Sequence, residues 1–275
     1  MIPFRARFAA KRVFSPAYYR HLSGILAHPL GFYSILIRKL SPSSSKEPLD
    51  LRLKDGKIIR VREFWTLFLF DEIFVGACYE PLRLGHHGPF PTILDVGANI
   101  GLFMLRMKQL WPDARIVAIE PHPENLRSLR EHIEINHLTG VEVLQGGISE
   151  ECGCMNLYLS PRNIGGHSMY KQTDAPSISV PVFPLSDVLA KVSAEGGGFF
   201  LKIDCEGCEH SLISSMTQEI ADRISCIIFE PEHGLYNLDD LLQKLKDLGY
   251  TTSMFSNLVF AERDAPAANR AHLVE

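Results

Sequence analysis

The pattern of apolar and polar positions changes period along this chain of 275 residues. From residue 92 onward, short and nearly continuous apolar runs alternate with segments in which apolar residues recur every three or four positions. The first pattern is typical of strands buried on both faces of a parallel sheet, and the second of amphipathic helices. The predicted strands cover residues 92–96, 115–119, 141–144, 199–203 and 224–229.

The helical patterns lie between and after these strands, at residues 101–110, 123–136, 209–220 and 238–248. Asn237 is the predicted N-cap of the last helix, and Gly249 follows its end. Two short runs, 251–255 and 259–262, then predict an antiparallel hairpin at the sheet edge. The complete pattern predicts an α/β fold: a doubly wound, Rossmann-like sheet of seven strands, mostly parallel, with helices on both faces.

Two regions depart from the α/β alternation. Before the sheet, alternating runs flank the turn sequence Asp55-Gly56, which predicts a β-hairpin, and a helix over 67–78 follows. Within the sheet region, residues 155–160 and 178–183 predict extra strands, and Pro181 should confine the second to an edge. We therefore divide the chain into a basic extension (1–46), a hairpin and helix (47–90), a core domain (91–264) and a tail (265–275).

Composition and charge narrow the class of protein. The chain is 46% hydrophobic and 22% charged, which is typical of a globular protein, and its net charge of −4 gives no reason to expect nucleic acid as a partner. No apolar stretch approaches the length of a membrane span, and no secretory signal is recognisable. We therefore expect a cytoplasmic protein whose six cysteines are reduced thiols.

The first 46 residues contain no Asp or Glu, whereas Lys and Arg alternate with aromatic residues. We interpret this segment as a helical extension packed on the main domain, followed by a linker at residues 41–45. Two alternatives stay open: weak contact with an anionic membrane or a partner surface, and a transit peptide.

Carboxylates end four of the five predicted parallel strands, where an open α/β sheet binds its ligand. The residues at these ends are Asp95, Gly97, Asn99 and Gly101; Glu120 and Pro121; Gly146 and Gly147; Asp204, Glu206 and Gly207; and Glu230 and Pro231. A buried strand gains nothing from ending in a carboxylate. The recurrence therefore indicates a ligand site.

The loop after the first strand favours one cofactor over another. A dinucleotide fingerprint requires G-x-G-x-x-G, but Asn99 and Leu102 stand at two of its glycine positions, and Asp95 would repel a pyrophosphate. S-adenosylmethionine has a cationic amino-acid end and a ribose diol, which Glu120 can accept at the end of the second strand. The predicted cofactor-binding residues are Asp95, Gly97, Asn99, Gly101, Glu120, Pro121, Gly147 and Asp204.

The same stretches resemble the FkbM family of S-adenosylmethionine-dependent methyltransferases. The resemblance rests on Asp71–Phe74 with Tyr79, on Asp95–Gly101, on Glu120-Pro121 and on Leu201–Glu209, and it covers roughly residues 49–263. It implies a class I methyltransferase fold and, in most members, O-methylation of a sugar or natural-product hydroxyl. Cysteines at both variable positions of the fourth-strand motif, Cys205 and Cys208, are a mild departure.

Methyl transfer to a hydroxyl requires alignment of the acceptor and a base that takes its proton. Asp204 and Glu206 follow the fourth strand and should lie near the reacting end of the cofactor, and His233 is the first candidate base. These three are the predicted catalytic residues. Glu209 is interpreted as a first-turn helix acid and Lys202 as the partner of a carboxylate, while His167 is a candidate substrate contact.

Several alternatives accompany this prediction. We expect a metal-independent reaction, but Asp204, Glu230 and His233 are candidate Mg²⁺ ligands, and the paired cysteines match zinc only in number. The expected substrate is a small molecule. Methylation of nitrogen or of a protein, and a cofactor-binding module without turnover, are the rival functions. The sequence specifies neither the acceptor nor the oligomeric state.

Overall fold

The computed structural model describes residues 4–13, 15–40, 47–80, 90, 92–160, 165–170, 174–192, 198–232 and 234–263. The predicted linker at 41–45, the tail at 265–275 and His233 lie outside them. The chain forms two compact units: Met1–Cys78 with Glu131–His137, and Tyr79–Arg130 with Leu138–Glu275.

The first unit begins with three helices and a hairpin. The helices are α1 (Phe4–Val13), α2 (Pro16–Ile25) and α3 (Pro29–Leu40), and the hairpin strands are β1 (Leu49–Arg52) and β2 (Ile58–Val61). The strands pair antiparallel around a turn in which Gly56 has a φ of 90°, so the predicted Asp55-Gly56 hairpin is confirmed. The basic extension is helical in its described residues, as expected, and its packing on the main domain stays a prediction.

The helix that we predicted over 67–78 begins earlier and changes form. Helix α4 covers Phe64–Phe70, and a π-helical turn follows at Asp71–Val75. The amide of Gly76 closes this wide turn on the carbonyl of Asp71, at 2.8 Å. A side chain at residue 76 would meet the Glu72 carbonyl at 2.8 Å, so the turn requires a glycine there.

The second unit is built on a seven-stranded sheet, so the predicted fold class is confirmed. Its strands are β3 (Thr92–Val96), β4 (Arg115–Glu120), β5 (Val141–Gln145), β9 (Phe199–Ile203), β10 (Ile224–Phe229), β11 (Thr251–Phe255) and β12 (Leu258–Glu262). Their order in the sheet is β11-β12-β10-β9-β3-β4-β5. The five strands from β10 to β5 in this order are parallel, and the β11-β12 hairpin is antiparallel at the opposite edge from β5.

Helices connect these strands. They are α5 (Leu102–Leu110), α6 (Pro123–Ile135), α7 (Leu185–Lys191), α8 (Cys208–Ser214), α9 (Gln218–Ala221) and α10 (Leu238–Asp247). Asn237 caps α10 and Gly249 follows it in left-handed conformation, as predicted. The predicted helix over 209–220 is interrupted because Thr217 caps a separate α9, and the short helix α7 was not predicted.

A second sheet of three strands, in the order β6-β8-β7, lies in this unit. It comprises β6 (Gly147–Ile148), β7 (Gly153–Tyr158) and β8 (Ser177–Phe183), so both extra strands are confirmed. The edge position expected from Pro181 is wrong, since β8 is central. Within the part of the chain that the structure describes, β6 pairs with Val182 and Phe183 of β8 and does not extend to Pro181.

Nearly all side chains of the central strands are buried. Apolar residues of β3, β9 and β10 pack with α7, α8 and α10 in one continuous core. The order in which the chain adds strands to the sheet reverses at β3, which has β4 on one side and β9 on the other. A ligand crevice is expected at this point, beyond the carboxyl ends of the strands. Among the described residues, no helix is long and apolar enough to cross a membrane.

Candidate active site

A buried ion pair joins the two strands at the reversal point. The carboxylate of Asp95, at the end of β3, is fully buried and lies 3.0 Å from Nζ of Lys202 on β9. The same ammonium donates to the carbonyl of Gly97 at 2.7 Å and lies 3.6 Å from Asp204. Burial opposes the charge of Lys202, but the neighbouring carboxylates outweigh burial and raise its pKa, so the ammonium persists.

The glycine loop after β3 passes directly over the end of β9. Gly97 has a φ of 77°, and a Cβ there would lie 1.8 Å from the carbonyl oxygen of Asp204. The amides of Gly97 and Ala98 both donate to the carbonyl of Ile119, at 3.0 Å, which fixes the loop on β4. Gly97 is therefore required both for its conformation and for the close approach of two backbones.

Tyr79 connects the ends of β9 and β10. Its buried hydroxyl donates to Oδ2 of Asp204 at 3.0 Å and lies 3.5 Å from Oε2 of Glu230. The other carboxylate oxygen of Glu230 accepts a hydrogen bond from Asn257. The side chain of Asp204 is 33% exposed, unlike Asp95, so its carboxylate is open to a ligand.

Glu120 ends β4 as a buried carboxylate in a ring of donors. Its oxygens accept from the amides of Asn99 and His122, both at 2.8 Å, and from the side chain of Asn125 at 3.3 Å. Burial nevertheless raises the pKa of Glu120 to about 7, because these hydrogen bonds only partly offset the loss of water. Asn99 holds its amide in place with a φ of 51°.

Comparison with known proteins identifies the family to which this chain belongs. A family model described as a methyltransferase FkbM domain matches residues 95–252, more than half of the chain. A relative that is 31% identical over 194 residues, the methyltransferase sdnD of Sordaria araneosa, aligns over 59% of this chain and 73% of its own length. The chain belongs to the FkbM methyltransferase family.

Other relatives of this methyltransferase agree with that assignment. It is 28% identical over 243 residues to the 31-O-demethyl-FK506 methyltransferase FkbM of Streptomyces tacrolimicus, covering 77% of this chain and 92% of the relative. In fold it resembles the crystal structure of the methyltransferase FkbM from Methylobacillus flagellatus KT, with a TM-score of 0.50 at 17% identity. That alignment covers 94% of this chain and 62% of the crystallised one.

Two imidazoles lie beside the Glu120 end of the methyltransferase site. The rings of His122 and His167 are 4.2 Å apart, and Nδ1 of His167 accepts from the amide of Ser160 at 3.0 Å. Burial, followed by the influence of His122, lowers the pKa of His167 to about 4, so this ring is neutral at ordinary pH. Its predicted contact with substrate stays a prediction.

The segment after β9 contains a disulfide where we expected two free thiols. Cys205 and Cys208 form a disulfide, with their Cα atoms 5.5 Å apart, so the expectation of six free thiols is wrong for this pair. The turn between β9 and α8 brings these two residues, three positions apart, within bridging distance. Between them, Glu206 has a φ of 58°, and its carbonyl accepts from the hydroxyl of Ser168 at 2.5 Å.

Glu209 occupies the first turn of α8, as interpreted from the sequence, but it is buried. One of its oxygens accepts from the amide of Cys205 at 3.2 Å, and the other from the hydroxyl of Tyr236 at 3.4 Å. Burial raises the pKa of Glu209 to about 7. This carboxyl group therefore ties α8 to the segment after β10.

Lys202 thus contacts Asp95, Gly97 and Asp204, and Glu120 accepts a hydrogen bond from the amide of Asn99. Gly101 precedes α5 with a φ of 84°, Pro121 is half-buried, and Gly147 is buried where a Cβ would meet Met169 at 2.3 Å. The predicted roles of these residues stay predictions. Across the described part of the chain, no three His, Cys, Asp or Glu side chains are grouped as metal ligands would be.

Sequence reasoning assigned no role to Tyr79, His122 or Asn125. Tyr79 was visible only as part of the family resemblance, because 125 positions separate it from Asp204 and nothing in its local pattern indicates the contact. His122 and Asn125 had a usable signal, because they lie two and five residues after Glu120. His122 directly precedes α6, and Asn125 lies in the first turn of that helix.

Proposed function

We propose that this protein is an S-adenosylmethionine-dependent O-methyltransferase that acts on a hydroxyl of a small carbohydrate or secondary metabolite. The observation that carries the cofactor assignment is the buried carboxylate of Glu120 at the end of β4, 2.8 Å from the amide of Asn99. Its position beside the loop suits a ligand that donates hydrogen bonds and carries no phosphate there.

The residues present fit S-adenosylmethionine along the whole edge. Glu120 would accept the ribose hydroxyls, sharing its oxygens with two backbone amides or displacing the longer contact from Asn125. Asp204 and Glu230, held by Tyr79, would attract the cationic amino-acid end. Asp95 would act from beneath the loop, by fixing Lys202 against the Gly97 carbonyl.

A carboxylate-rich edge disfavours the competing cofactor. Nicotinamide dinucleotides bring a pyrophosphate to the turn after the first strand. Here that turn lies between Asp95 and Glu120, and the one described cation beside it, Lys202, is buried and already paired. A pyrophosphate would therefore meet negative charge without a free counter-charge.

The bound cofactor supplies an electrophilic methyl group, and the protein must align an acceptor and remove its proton. Asp204 is exposed enough to accept a proton or to orient a hydroxyl. His233 follows β10 outside the described residues and remains our proposed base, with Glu206 as a further contact. The relative named for 31-O-demethyl-FK506 supports oxygen as the methylated atom.

Transfer of a labelled methyl group tests this proposal. The full chain is incubated with methyl-labelled S-adenosylmethionine and a panel of sugars, glycosides and hydroxylated natural products, each paired with an amino analogue. We expect label in a methyl ether of a hydroxyl compound, with and without a chelator. Label confined to amino analogues or to protein would overturn O-methylation, and loss of transfer with chelator would overturn the metal-independent reaction.

A further inference from the structure

Helices α1 to α3 present an unusual surface in the first unit. Residues 1–46 include eight Lys and Arg and no acid: Arg5, Arg7, Lys11, Arg12, Arg20, Arg38, Lys39 and Lys46. Two of these cations are already engaged, since Arg12 pairs with Asp71 and Lys39 donates to the carbonyl of Glu47. Arg7, Lys11, Arg20 and Arg38 are exposed on the helices.

Helix α3 has apolar residues on two opposite sides. Phe32, Ile35 and Leu36 are buried in the unit. Leu30 and Ile37, by contrast, are 69% and 66% exposed. Seven residues separate them, so they lie on the same face of the helix, about two turns apart. Large aliphatic side chains gain nothing from this exposure unless something apolar covers them.

The exposed apolar face extends from α3 onto α2. Helix α2 lies beside α3, where the rings of Tyr18 and Phe32 are 5.8 Å apart. On α3, Tyr33 lies one turn from Leu30, and its pKa is raised by burial and, to a smaller extent, by the nearby phenol of Tyr19. Tyr19 is itself exposed, and Arg20 follows it directly on α2. We name Leu30, Ile37, Tyr19, Arg20 and Arg38 the lipid face.

We propose that the lipid face binds the surface of an anionic membrane. Leu30 and Ile37 would enter the boundary between headgroups and acyl chains, where Tyr19 is also favourable, while Arg20 and Arg38 would contact lipid phosphates. A second copy of the chain fits the face less well. If two copies paired through this same surface, Arg20 and Arg38 of one copy would face the same cations of the other. Residues 1–46 contain no acid that could neutralise this repulsion.

Co-sedimentation of the full chain with vesicles tests the proposal. Vesicles of phosphatidylcholine that contain phosphatidylserine are compared with vesicles of phosphatidylcholine alone, at low and at high salt. We expect binding only to the anionic vesicles and weaker binding at high salt, since exposed charges are screened. Absence of binding to anionic vesicles at low salt would overturn the proposal.

Paired variants identify the surface. Leu30→Asn with Ile37→Asn should weaken binding at least about tenfold, and Arg20→Ser with Arg38→Ser about thirtyfold. Met254→Asn, at an exposed apolar residue of β11, and Arg130→Ser with Lys246→Ser, at exposed cations elsewhere, serve as matched controls and should bind like the unaltered chain. Equal binding by every variant would contradict the lipid face.

Sedimentation equilibrium without lipid completes the test. All folded variants should show the same molecular mass as the unaltered chain, because the proposal gives the lipid face no role in self-association. A dimer that Leu30→Asn with Ile37→Asn dissociates, together with unchanged vesicle binding, would overturn the proposal in favour of a contact between copies.

Discussion

Glu120 illustrates how burial and hydrogen bonding compete at a single residue. Three donors hold its carboxylate, yet withdrawal from water raises its pKa from 4.5 to about 7. A ribose diol donates hydrogen bonds, so the ionised carboxylate is the form that binds it best. Near neutral pH the residue is therefore divided between a binding and a weakly binding form.

We predict that affinity for S-adenosylmethionine falls as pH drops through about 7. Each unit below the pKa should lower affinity by up to tenfold, because protonation removes the ionised acceptor, while affinity should be constant above about pH 8. Glu120→Gln should bind more weakly and show little of this dependence. Calorimetric titration of both chains at several pH values measures the difference. An equal slope in the two chains would assign the pH dependence to another group.

The same raised pKa also affects the stability of the fold. Stability decreases as pH rises, whereas affinity for the cofactor decreases as pH falls. The folded chain keeps a proton on Glu120 that the unfolded chain loses, so stability is lost as pH rises from about 4.5 to about 7. Glu209 contributes in the same direction. Glutamine at either position removes this loss, so the melting temperature of the variant, relative to the unaltered chain, should be higher above pH 7 than near pH 4.

Tyr79 is a positioning residue whose contribution should be separable from folding. Its hydroxyl donates to Asp204 at 3.0 Å, and hydrogen bonds to charged groups contribute about 1.5–3 kcal/mol. Tyr79→Phe should lower kcat about tenfold or more, with a small change in melting temperature, because the ring keeps its packing on Phe103. A variant with unchanged kcat and pH profile would remove Tyr79 from the site.

At the scale of elements, the parallel strands were predicted to within a residue or two, because strands buried on both faces are nearly continuous apolar runs. The π-helical turn at Asp71–Val75 was not predictable, since it depends on a hydrogen bond from the Gly76 amide to the Asp71 carbonyl and on the absence of a side chain at residue 76. The central position of β8 was also missed. A proline prevents strand pairing only where the neighbouring strand would need its amide. Strand β6 has just two residues, and these pair with Val182 and Phe183 rather than with Pro181.

The loop that connects β3 to α5 depends most strongly on Gly97. Gly97→Ala combines a positive φ with a Cβ 1.8 Å from the Asp204 carbonyl, and should lower the free energy of unfolding by about 2–4 kcal/mol. Chemical denaturation measures this loss. Gly153→Ala, in β7, is the matched control, because no atom of the described residues lies within 4 Å of its added Cβ, and it should change stability by less than about 1 kcal/mol. Equal losses would refute the close approach at Gly97.

At the scale of the whole molecule, the carboxyl edge of the sheet was predictable and the contacts across it were not. The acids that follow the apolar runs are visible in the sequence. They lie at one edge because all five parallel strands end on the same side of the sheet. Their partners come from distant segments: Lys202 reaches Asp95, Asn257 reaches Glu230, and Tyr79 reaches Asp204. Division into units is equally non-local, since Glu131–His137 clusters with the first 78 residues.

Calorimetric titration with S-adenosylmethionine and with NAD⁺ tests which cofactor the carboxyl edge of the sheet binds. The full chain should bind S-adenosylmethionine and not NAD⁺, and Glu120→Ala should bind at least about thirtyfold more weakly while melting cooperatively. Glu142→Ala, at a partly exposed acid of β5, is the control and should bind normally. Binding of NAD⁺ in preference to S-adenosylmethionine would contradict the cofactor assignment, and equal affinity of Glu120→Ala and the unaltered chain would contradict the role of Glu120.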